Sequence, residues 1–399
     1  MPYYIGDVIK EAGKLTARTP EKFREGGIEV IIDTGVAEVD EQRQEVRLAD
    51  GKALPYDFLA LATGAEALRP GIPGEDREGV FLLKKLADAL AIKSYLAAIG
   101  CRRAIVIGAG FIGLEVSEAF VNRGIETEMI HRGKLPAARW DPELGAALLE
   151  EMKRRGVIFT PQTELISIEG GDTYRLRLNT NHGPREADII LIATGIRADT
   201  RLARAMGLTI GGSGAIAVNF SQRTCRENVY AAGDCCESFH RVSRRWVNIP
   251  LGDIANKQGR VAGSNIGGTP RTFPGVVGAQ SFRIFSWEAA AAGITEREAA
   301  AAGFHPVSAL LWGNATAGTM PGPKKIGLKL IADRATGRLL GAQAVGEQRV
   351  VGRINTLAAA LWAGLALDDI GYMDLAYAPP FSGSWDIIHL AAQNLLRKM

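Results

Sequence analysis

Three glycines with the spacing Gly108-x-Gly110-x-x-Gly113 are the residues of this sequence best suited to hold a ligand by backbone contacts. They follow an apolar segment, residues 103–107, and precede apolar residues at helical spacing. In such a strand–turn–helix the first glycine permits the turn, the second lets the backbone approach a pyrophosphate, and the third allows close packing. The helix N-terminus adds N–H groups and a positive dipole. The segment predicts a dinucleotide site, with a purely structural turn as the alternative.

The residues expected at the ribose lie about 20 residues farther on, after a second strand. An acidic side chain there accepts from the ribose diol of NAD, but this sequence has His131, Arg132 and Lys134. A charge-assisted hydrogen bond to a 2′-phosphate contributes about 1.5–3 kcal/mol, which corresponds to roughly ten- to a hundredfold in affinity. We therefore predict a preference for NADP over NAD. In the alternative, Arg132 and Lys134 are solvated loop charges.

Three segments end in similar letters, Leu-Ala-Thr-Gly at residues 61–64, Ile-Ala-Thr-Gly at residues 192–195 and Ala-Ala-Gly-Asp at residues 231–234. Taken singly, each is a strand that stops at a glycine turn. Together they indicate backbone that approaches a ligand at the carboxyl ends of strands, where open α/β sheets bind cofactors. A helix N-cap is an equally good interpretation of Asp234.

The cysteines and histidines do not indicate a metal site or a disulfide framework. Cys101, Cys225, Cys235 and Cys236 form no C-x-x-C pair or zinc spacing, and the five histidines have no metal-ligand pattern. We therefore expect no metal and a reducing cytoplasm. For the adjacent pair, two small buried residues are preferred to a vicinal disulfide, which would strain the intervening peptide. No hydrolase motif is present.

Composition places these motifs in a globular enzyme of two or three domains. The chain has 399 residues, 47% hydrophobic and 23% charged, with a formal charge of +3. We expect small-molecule partners rather than nucleic acid, because like charges do not cluster. No apolar run reaches the roughly 18 residues of a membrane span, and no export signal is visible at the start.

The elements that position the motifs follow from local patterns. We predict strands, several of them antiparallel, at residues 28–32, 37–39, 44–48 and 57–62, with a hairpin turn at Asp50-Gly51. Parallel strands are predicted at residues 103–107, 127–130, 188–195 and 228–234. Helices are predicted at residues 86–96, from 112 to a C-cap at Gly124, and at 142–155, 254–266 and 354–365.

With these motifs, residues 18–23, 61–64, 108–115, 192–195, 230–235 and 249–251 resemble the FAD-dependent pyridine nucleotide-disulfide oxidoreductases, over the whole chain. Residues 2–6 and 376–382 look most like the coenzyme A-disulfide reductase and NADH oxidase branch. The resemblance implies an α/β fold with two Rossmann-like nucleotide-binding domains, the FAD domain N-terminally incomplete, and a C-terminal α+β dimerisation domain. The implied boundaries are 1–79 and 198–267 for the FAD domain, 80–197 for the NAD(P) domain and 268–399 for dimerisation.

The resemblance also implies roles for individual residues. Glu115, near the flavin, and Tyr377, which would reach the active site of the partner subunit, are the implied catalytic residues. Phe111 matches an aromatic that gates the nicotinamide pocket. Gly233-Asp234 would hold the ribityl and phosphate part of FAD, and Leu251-Gly252 would lie by the flavin ring. The remaining implied cofactor contacts are Ala62, Thr63, Gly64, Gly108, Gly110, Ile112, Gly113, His131, Arg132, Lys134 and Gly195.

The sequence departs from the family at two places. Family members begin with a glycine fingerprint for the FAD adenosine and a redox cysteine just ahead of the segment that corresponds to Met1-Pro2-Tyr3. This sequence starts just after the position of that cysteine and has neither feature. We therefore expect either a natural start farther upstream or a degenerate protein. In addition, Met320 or Thr319, and Trp385, stand where coenzyme A-disulfide reductases carry a Tyr and a substrate-binding Lys, which argues against coenzyme A as the substrate.

The predicted function is that of a homodimeric oxidoreductase that passes hydride from NAD(P)H through FAD to a disulfide, oxygen or another small acceptor. A ferredoxin- or rubredoxin-reductase-like enzyme, which needs no redox cysteine, is the enzyme alternative. A non-catalytic protein that binds the nicotinamide nucleotide without flavin is the second alternative. In that case we expect the apolar faces of strands such as residues 59–62 to be exposed.

Overall fold

The computed structural model describes residues 1–399 as a mixed α/β structure. One 3₁₀ helix spans Ala12–Leu15. The α-helices are α1 (Pro2–Ile5), α2 (Pro20–Glu25), α3 (Leu86–Ile99), α4 (Phe111–Asn122), α5 (Pro142–Arg154), α6 (Arg201–Ala205), α7 (Gly252–Ile266), α8 (Glu296–Ala301), α9 (Val350–Ala363), α10 (Leu367–Gly371) and α11 (Ile387–Leu396). No helix combines the length and the apolar character that crossing a bilayer requires.

The strands are short in the first half of the chain and longer near its end. They are β1 (Val36–Asp40), β2 (Glu45–Leu48), β3 (Ala53–Pro55), β4 (Leu59–Leu61), β5 (Ala65–Ala67), β6 (Val80–Leu82), β7 (Arg103–Ile107), β8 (Glu126–Ile130), β9 (Ile158–Thr160), β10 (Leu165–Gly170), β11 (Leu176–Thr180), β12 (Arg185–Ala187), β13 (Ile189–Ile192), β14 (Ile196–Ala198), β15 (Val229–Ala231), β16 (Ser238–His240), β17 (Arg245–Val247), β18 (Gln280–Ile284), β19 (Trp287–Gly293), β20 (Pro306–Asn314), β21 (Lys325–Asp333) and β22 (Leu339–Gly346).

By the density of its internal contacts the chain divides into two compact units. The first comprises residues 1–10, 67–195 and 277–399, and the second comprises residues 11–66 and 196–276. The four-segment division expected from the sequence stays a prediction.

A five-stranded parallel sheet of order β6-β13-β7-β8-β9 positions the glycine motif in the first unit. In the central strand β7, residues 104–107 are at most 3% exposed, so their apolar run is explained by burial. Gly124, with φ +75°, follows α4 as predicted. The expected strand–turn–helix at residues 103–122 is therefore confirmed.

A five-stranded antiparallel sheet of order β18-β19-β22-β21-β20 forms the C-terminal part of the first unit. Helix α9 packs on β19 and β22, and α11 packs on β20 and β21. All eight residues of β22 are buried. This sheet therefore has a core of its own.

The second unit contains the antiparallel meander β1-β2-β3 and the short parallel pair β15-β4. The predicted turn at Asp50-Gly51 joins β2 to β3, with Gly51 at φ +88°. The strand predicted at residues 28–32 is wrong, because the side chains of Ile28, Ile31 and Ile32 are 40–56% exposed and residues 28–32 pair with no strand. These residues have a high β propensity, but they form no strand because no neighbouring strand pairs with them.

Strand β4 differs from the antiparallel expectation for this region, since it pairs in parallel with β15, Leu59 opposite Val229 and Leu61 opposite Ala231. Leu61 is 4% exposed and packs in a core cluster of the second unit. Its neighbours Ala60 and Ala62 are exposed. One side of this strand is therefore buried, and the alternate residues are accessible.

Candidate functional site

The structure shows why glycine stands at each of the three positions of the motif. A Cβ on Gly108, at φ +104°, would lie 2.3 Å from the Ala193 carbonyl oxygen, and one on Gly113 would lie 2.1 Å from the Gly108 carbonyl oxygen. A Cβ on Gly110 would meet no protein atom within 4 Å. Gly108 and Gly113 are therefore required by packing, whereas Gly110 faces open space in which a pyrophosphate fits.

The N-terminus of α4 provides donors at this open space. The first hydrogen bond of the helix runs from the Leu114 N–H to the Gly110 carbonyl oxygen, 2.9 Å. The N–H groups of Phe111, Ile112 and Gly113 precede it and have no helical acceptor. No side chain caps the helix, and its first turn contains no acidic residue. This donor set fits an anionic pyrophosphate.

Strand β8 ends beside the glycine turn, since the Gly108 N–H donates to the Ile130 carbonyl oxygen, 2.8 Å. The next residues are half-buried His131, then exposed Arg132 and Lys134, neither of which forms an ion pair within the chain. Burial, with the nearby charge of Arg132, lowers the pKa of His131. The structure thus places the cations expected at the ribose next to the turn.

The one acidic side chain nearby on β8 is unavailable to a ribose. Glu128 is 3% exposed and lies against Arg103, Arg185 and Thr160, with carboxylate contacts of 3.5, 3.2 and 2.7 Å. The preference for a 2′-phosphate stays a prediction.

Replacing Arg132 with alanine is expected to raise the KM for NADPH roughly ten- to a hundredfold, because a charge-assisted bond to the 2′-phosphate is lost. The KM for NADH should stay nearly unchanged. Steady-state kinetics with both nucleotides measure this. Equal effects on both nucleotides would contradict the 2′-phosphate role.

Glu115 lies one helical turn after Phe111 on α4 and is paired with Tyr3, whose hydroxyl is 3.4 Å from the Glu115 Oε1. Helix α1 brings Tyr3 there, because it packs closely on α4: a Cβ on Gly6 would lie 3.0 Å from the Cβ of Ala119. Burial raises the pKa of Glu115, and the hydrogen bond from Tyr3 opposes the rise only in part. The predicted catalytic carboxyl therefore holds its proton more readily than an ordinary glutamate.

Replacing Glu115 with glutamine is expected to raise the thermal midpoint at pH 8 and to leave it unchanged at pH 4. The folded-state pKa of Glu115 lies above its unfolded value, so stability falls as pH rises between the two values. Glutamine does not ionise, so the variant does not lose this stability as the pH rises. Thermal unfolding at both pH values measures the effect, with exposed Glu150→Gln as the control. A midpoint that falls at pH 8 would show that the ionised carboxylate is stabilising.

The two Thr-Gly turns use their side chains to hold the backbone. The Thr63 hydroxyl donates to the Asp199 carbonyl oxygen, 2.6 Å, and the Thr194 hydroxyl donates to the Leu68 carbonyl oxygen, 2.7 Å. Each turn ends in a glycine at positive φ, +71° at Gly64 and +127° at Gly195. Both threonine hydroxyls are thus engaged within the protein, which leaves the backbone of these turns, including Ala62, as the predicted contact with a cofactor.

The Gly233-Asp234 turn is fixed by Gln258 on α7. The Gln258 Oε1 accepts from the Gly233 N–H, 2.9 Å, and its Nε2 donates to the Glu237 carbonyl oxygen and to the Ser238 hydroxyl. Gln258 is fully buried. No helix begins at Asp234, so the alternative of a helix N-cap is wrong.

Helix α7 begins at Gly252, with Leu251 as its N-cap, and a Cβ on Gly252 would meet nothing within 4 Å. The buried Gln258 therefore connects the Gly233 turn to a helix whose first turn is open. The first turn of α7 also contains Asp253, which is paired with Lys257. The Gly233-Asp234 turn stays the predicted contact with the ribityl and phosphate part of FAD, and Leu251-Gly252 stays the predicted contact with the flavin ring.

The four cysteines are free thiols, and none is placed at the glycine motif. Cys235 and Cys236 are 0% and 2% exposed, which confirms two small buried residues. Cys225 is exposed. Cys101 precedes β7, at the end opposite the motif, and burial, assisted by Asp188, raises its pKa to about 12.

Ile112, a predicted cofactor contact, is 37% exposed at the open end of α4. Other residues of the site were not predicted. Tyr3 and Gln258 act through partners more than 20 positions away, so no local pattern marks them. Glu118 could have been found, since it follows Glu115 by three residues and so shares its helix face. The predicted catalytic residue Tyr377 is 53% exposed and makes no hydrogen bond to α4.

Comparison with known proteins agrees with these features. Residues 4–259 match the pyridine nucleotide-disulphide oxidoreductase family, and residues 279–387 match the dimerisation domain of that family. The NAD(P)H sulfur oxidoreductase (CoA-dependent) of Pyrococcus abyssi is 38% identical, over 98% of this chain and 88% of that protein. The NADH oxidase of Methanocaldococcus jannaschii is 31% identical, over 100% of this chain and 90% of that protein.

Among solved structures, a NAD-dependent persulfide reductase from A. fulgidus superposes with a TM-score of 0.95 at 35% identity, over 100% of this chain and 75% of that chain. The α/β fold class with a C-terminal dimerisation domain is confirmed, as is an NAD(P)H-dependent flavoprotein oxidoreductase with FAD and NAD(P) as cofactors. The individual site residues stay predictions. The chain belongs to the pyridine nucleotide-disulphide oxidoreductase family.

Proposed function

We propose that this chain takes hydride from NAD(P)H at α4 and passes the electrons through FAD to an acceptor that contains a sulfur–sulfur bond. One observation carries the proposal: a single helix presents an open pyrophosphate site at Gly110 and, one turn farther on, the half-buried carboxyl of Glu115. Relatives named sulfur oxidoreductase, polysulfide/persulfide reductase and coenzyme A disulfide reductase support the acceptor class. Relatives named NADH oxidase make oxygen the second acceptor to test.

The residues of the first unit would bind the nicotinamide nucleotide. The three N–H groups at the start of α4 neutralise the pyrophosphate, and Arg132 and Lys134 attract the phosphate at the ribose. Phe111, the first residue of α4, occupies the position from which a ring covers or frees the nicotinamide. Burial raises the pKa of Glu115, so this carboxyl binds a proton more readily than an exposed glutamate, and the Tyr3 hydroxyl donates to its Oε1.

The residues of the second unit would hold the flavin nucleotide. The Gly233 turn and the N-terminus of α7 supply backbone donors. The buried Gln258 of α7 holds the turn in place by hydrogen bonds. FAD, when bound, accepts hydride and releases the electron pair to the acceptor; the protein aligns the reactants.

Coenzyme A is the proposed carrier of the sulfur acceptor. A surface cavity of about 430 Å³ in the second unit is lined by two cations and an aromatic ring, Arg18, Lys22 and Phe23, together with one carboxylate, Glu25. The cations and the ring suit nucleotide phosphates and an adenine. Met320 and Trp385 argue against coenzyme A, because they stand where coenzyme A-disulfide reductases carry a Tyr and a Lys. The rates of NAD(P)H oxidation with coenzyme A disulfide and with pantethine, which lacks the nucleotide, test whether coenzyme A is recognised. Equal rates with the two acceptors would remove coenzyme A from the proposal.

The oligomer is proposed to be a homodimer formed by the C-terminal domain. Exposed aromatic side chains gather there, with Tyr372 72% and Trp385 49% exposed and their ring centroids 6.0 Å apart. Exposed aromatic clusters are typical of interfaces.

Replacing Trp385 with glutamate is expected to convert the dimer to monomer at micromolar concentration, because a charge would be buried against an apolar surface. Sedimentation velocity measures the change. The matched control Ile32→Glu, on an exposed segment of the second unit, should stay dimeric. A Trp385→Glu protein that remains dimeric would place the interface elsewhere.

The visible spectrum of the purified protein before and after anaerobic NADPH tests the proposed function. A flavin band that bleaches supports it. Nucleotide binding without a flavin band would instead support a non-catalytic nucleotide-binding protein. Re-oxidation by a disulfide, by oxygen or by a ferredoxin then identifies the acceptor class.

A further inference from the structure

Three aromatic rings of the first unit meet at the start of α4. Phe111 stacks on Phe282 of β18, with ring centroids 4.7 Å apart and planes 28° apart. Trp140 contacts both rings, at 6.0 Å from Phe111 and 5.4 Å from Phe282. Phe282 and Trp140 are each 6% exposed, whereas Phe111 is half-buried. The half-buried ring of Phe111 therefore packs against two buried rings.

Polar contacts lock Phe282 and Trp140 in place. On the strand side, the Phe285 N–H, just past β18, donates to Glu118 of α4, 2.7 Å. On the loop side, Asp141 and Gln343 exchange two hydrogen bonds, from the Asp141 N–H to Oε1 at 2.9 Å and from Nε2 to Oδ2 at 2.7 Å. These contacts join the C-terminal sheet, which contains Phe282, to α4 and to Asp141, the residue after Trp140.

We propose that Phe282 is a positioning residue for the nicotinamide half of the dinucleotide. By stacking on Phe111, it favours the orientation in which that ring packs against Phe282 and Trp140, which we take to be the orientation that admits nicotinamide. The C-terminal sheet thus sets the affinity of a site built on another part of the chain. This inference rests on the proposed function, because it takes the α4 N-terminus as the dinucleotide site.

The size of the effect follows from the strength of aromatic stacking. Losing one stacked partner changes the population of a ring orientation by roughly two- to tenfold. The apparent affinity falls by the fraction of protein whose ring is correctly placed. The pyrophosphate contacts on Gly110 and the helix N–H groups do not involve the ring, so only the nicotinamide half is affected.

The variant Phe282→Leu tests this, because it removes the ring and keeps an apolar side chain. Calorimetry would measure the Kd for ADP-ribose, which lacks nicotinamide, and for NAD⁺, which contains it and cannot reduce the bound flavin; the 2′-phosphorylated pair is used if NADPH binds more tightly. We expect NAD⁺ affinity to fall roughly two- to tenfold and ADP-ribose affinity to stay nearly unchanged. Phe282→Tyr, which keeps the ring, should retain the wild-type ratio of the two Kd values. Ile284→Val, a truncation on the same strand, should also retain it.

Two results would overturn the inference. Equal losses for NAD⁺ and ADP-ribose would show that β18 merely supports the helix, and unchanged affinities for both would show that the ring needs no partner. Failure of the proposed function is a separate result, since it appears in the wild-type protein as a flavin that NADH and NADPH do not reduce.

Discussion

Replacing Gly113 with alanine is expected to lower the rate of flavin reduction by NAD(P)H about a hundredfold and to destabilise the first unit by about 1–3 kcal/mol. The new Cβ would lie 2.1 Å from the Gly108 carbonyl oxygen, a backbone atom that belongs to the same turn. The helix end and the turn must therefore move apart. Because the N–H groups of α4 are aimed by that contact, the donors would no longer converge on the pyrophosphate.

Gly110→Ala is the matched control in the same motif. Gly110 has φ −81° and ψ −178°, which any residue adopts, and its Cβ would meet no protein atom within 4 Å. Stability should therefore stay within about 0.5 kcal/mol, while dinucleotide affinity falls because the methyl group occupies the space of the ligand. Thermal unfolding and calorimetric titration with NADP⁺, which cannot reduce the bound flavin, measure both variants. A Gly110→Ala protein that binds normally would show that the pyrophosphate does not approach this turn.

The parts of the site that the sequence predicted are those built from neighbours in the chain. The strand, the turn and the helix at residues 103–122 are specified by apolar runs, glycine positions and a C-cap, all within 22 residues. The hairpin at Asp50-Gly51 is equally local. At residues 103–122 the same pattern also specifies the backbone at Gly110 that faces the proposed ligand.

The parts that the sequence could not predict depend on contacts between distant residues. Phe282 is 171 positions from Phe111, and Tyr3 is 112 positions from Glu115, so only the folded chain shows that they meet. The opposite error occurs at residues 28–32, where strong local β propensity finds no neighbouring strand. Local preference predicts an element only where the tertiary structure supplies its partners.

Lys329 is another residue that only the structure identifies. It lies on β21 with its side chain 1% exposed, and its Nζ is 3.5 Å from Asp141, 3.0 Å from Glu143 and 3.4 Å from Glu296. Burial alone would lower the pKa of Lys329, but the three carboxylates outweigh it and raise the pKa. The charged lysine thus binds the first turns of α5 and α8 to the C-terminal sheet.

Replacing Lys329 with methionine is expected to destabilise the protein by about 3 kcal/mol at pH 7. Methionine keeps the length of the side chain but leaves the carboxylate of Asp141, whose side chain is 6% exposed, without its cation. The estimate is at the low end for a broken buried pair, because Glu143 and Glu296 are 46% and 40% exposed. Urea unfolding measures the loss. Lys257→Met, which removes an exposed lysine paired with Asp253, should cost only about 0.3–0.5 kcal/mol.

The loss at Lys329 should also depend on pH. Burial raises the pKa of Glu143, but its helix N–H and Lys329 outweigh burial, so the pKa lies below the ordinary value. The stability that this pairing contributes is present above the unfolded pKa and is lost as pH falls through the folded pKa. The difference between wild type and Lys329→Met should therefore be present in full at neutral pH and shrink only as the pH falls below 4.5, the ordinary pKa of a glutamate. A second substitution, Glu143→Gln, should recover part of the loss at pH 7, because it removes one of the uncompensated charges. If the double variant is no more stable than Lys329→Met, the cost is the packing of the lysine stem rather than its charge.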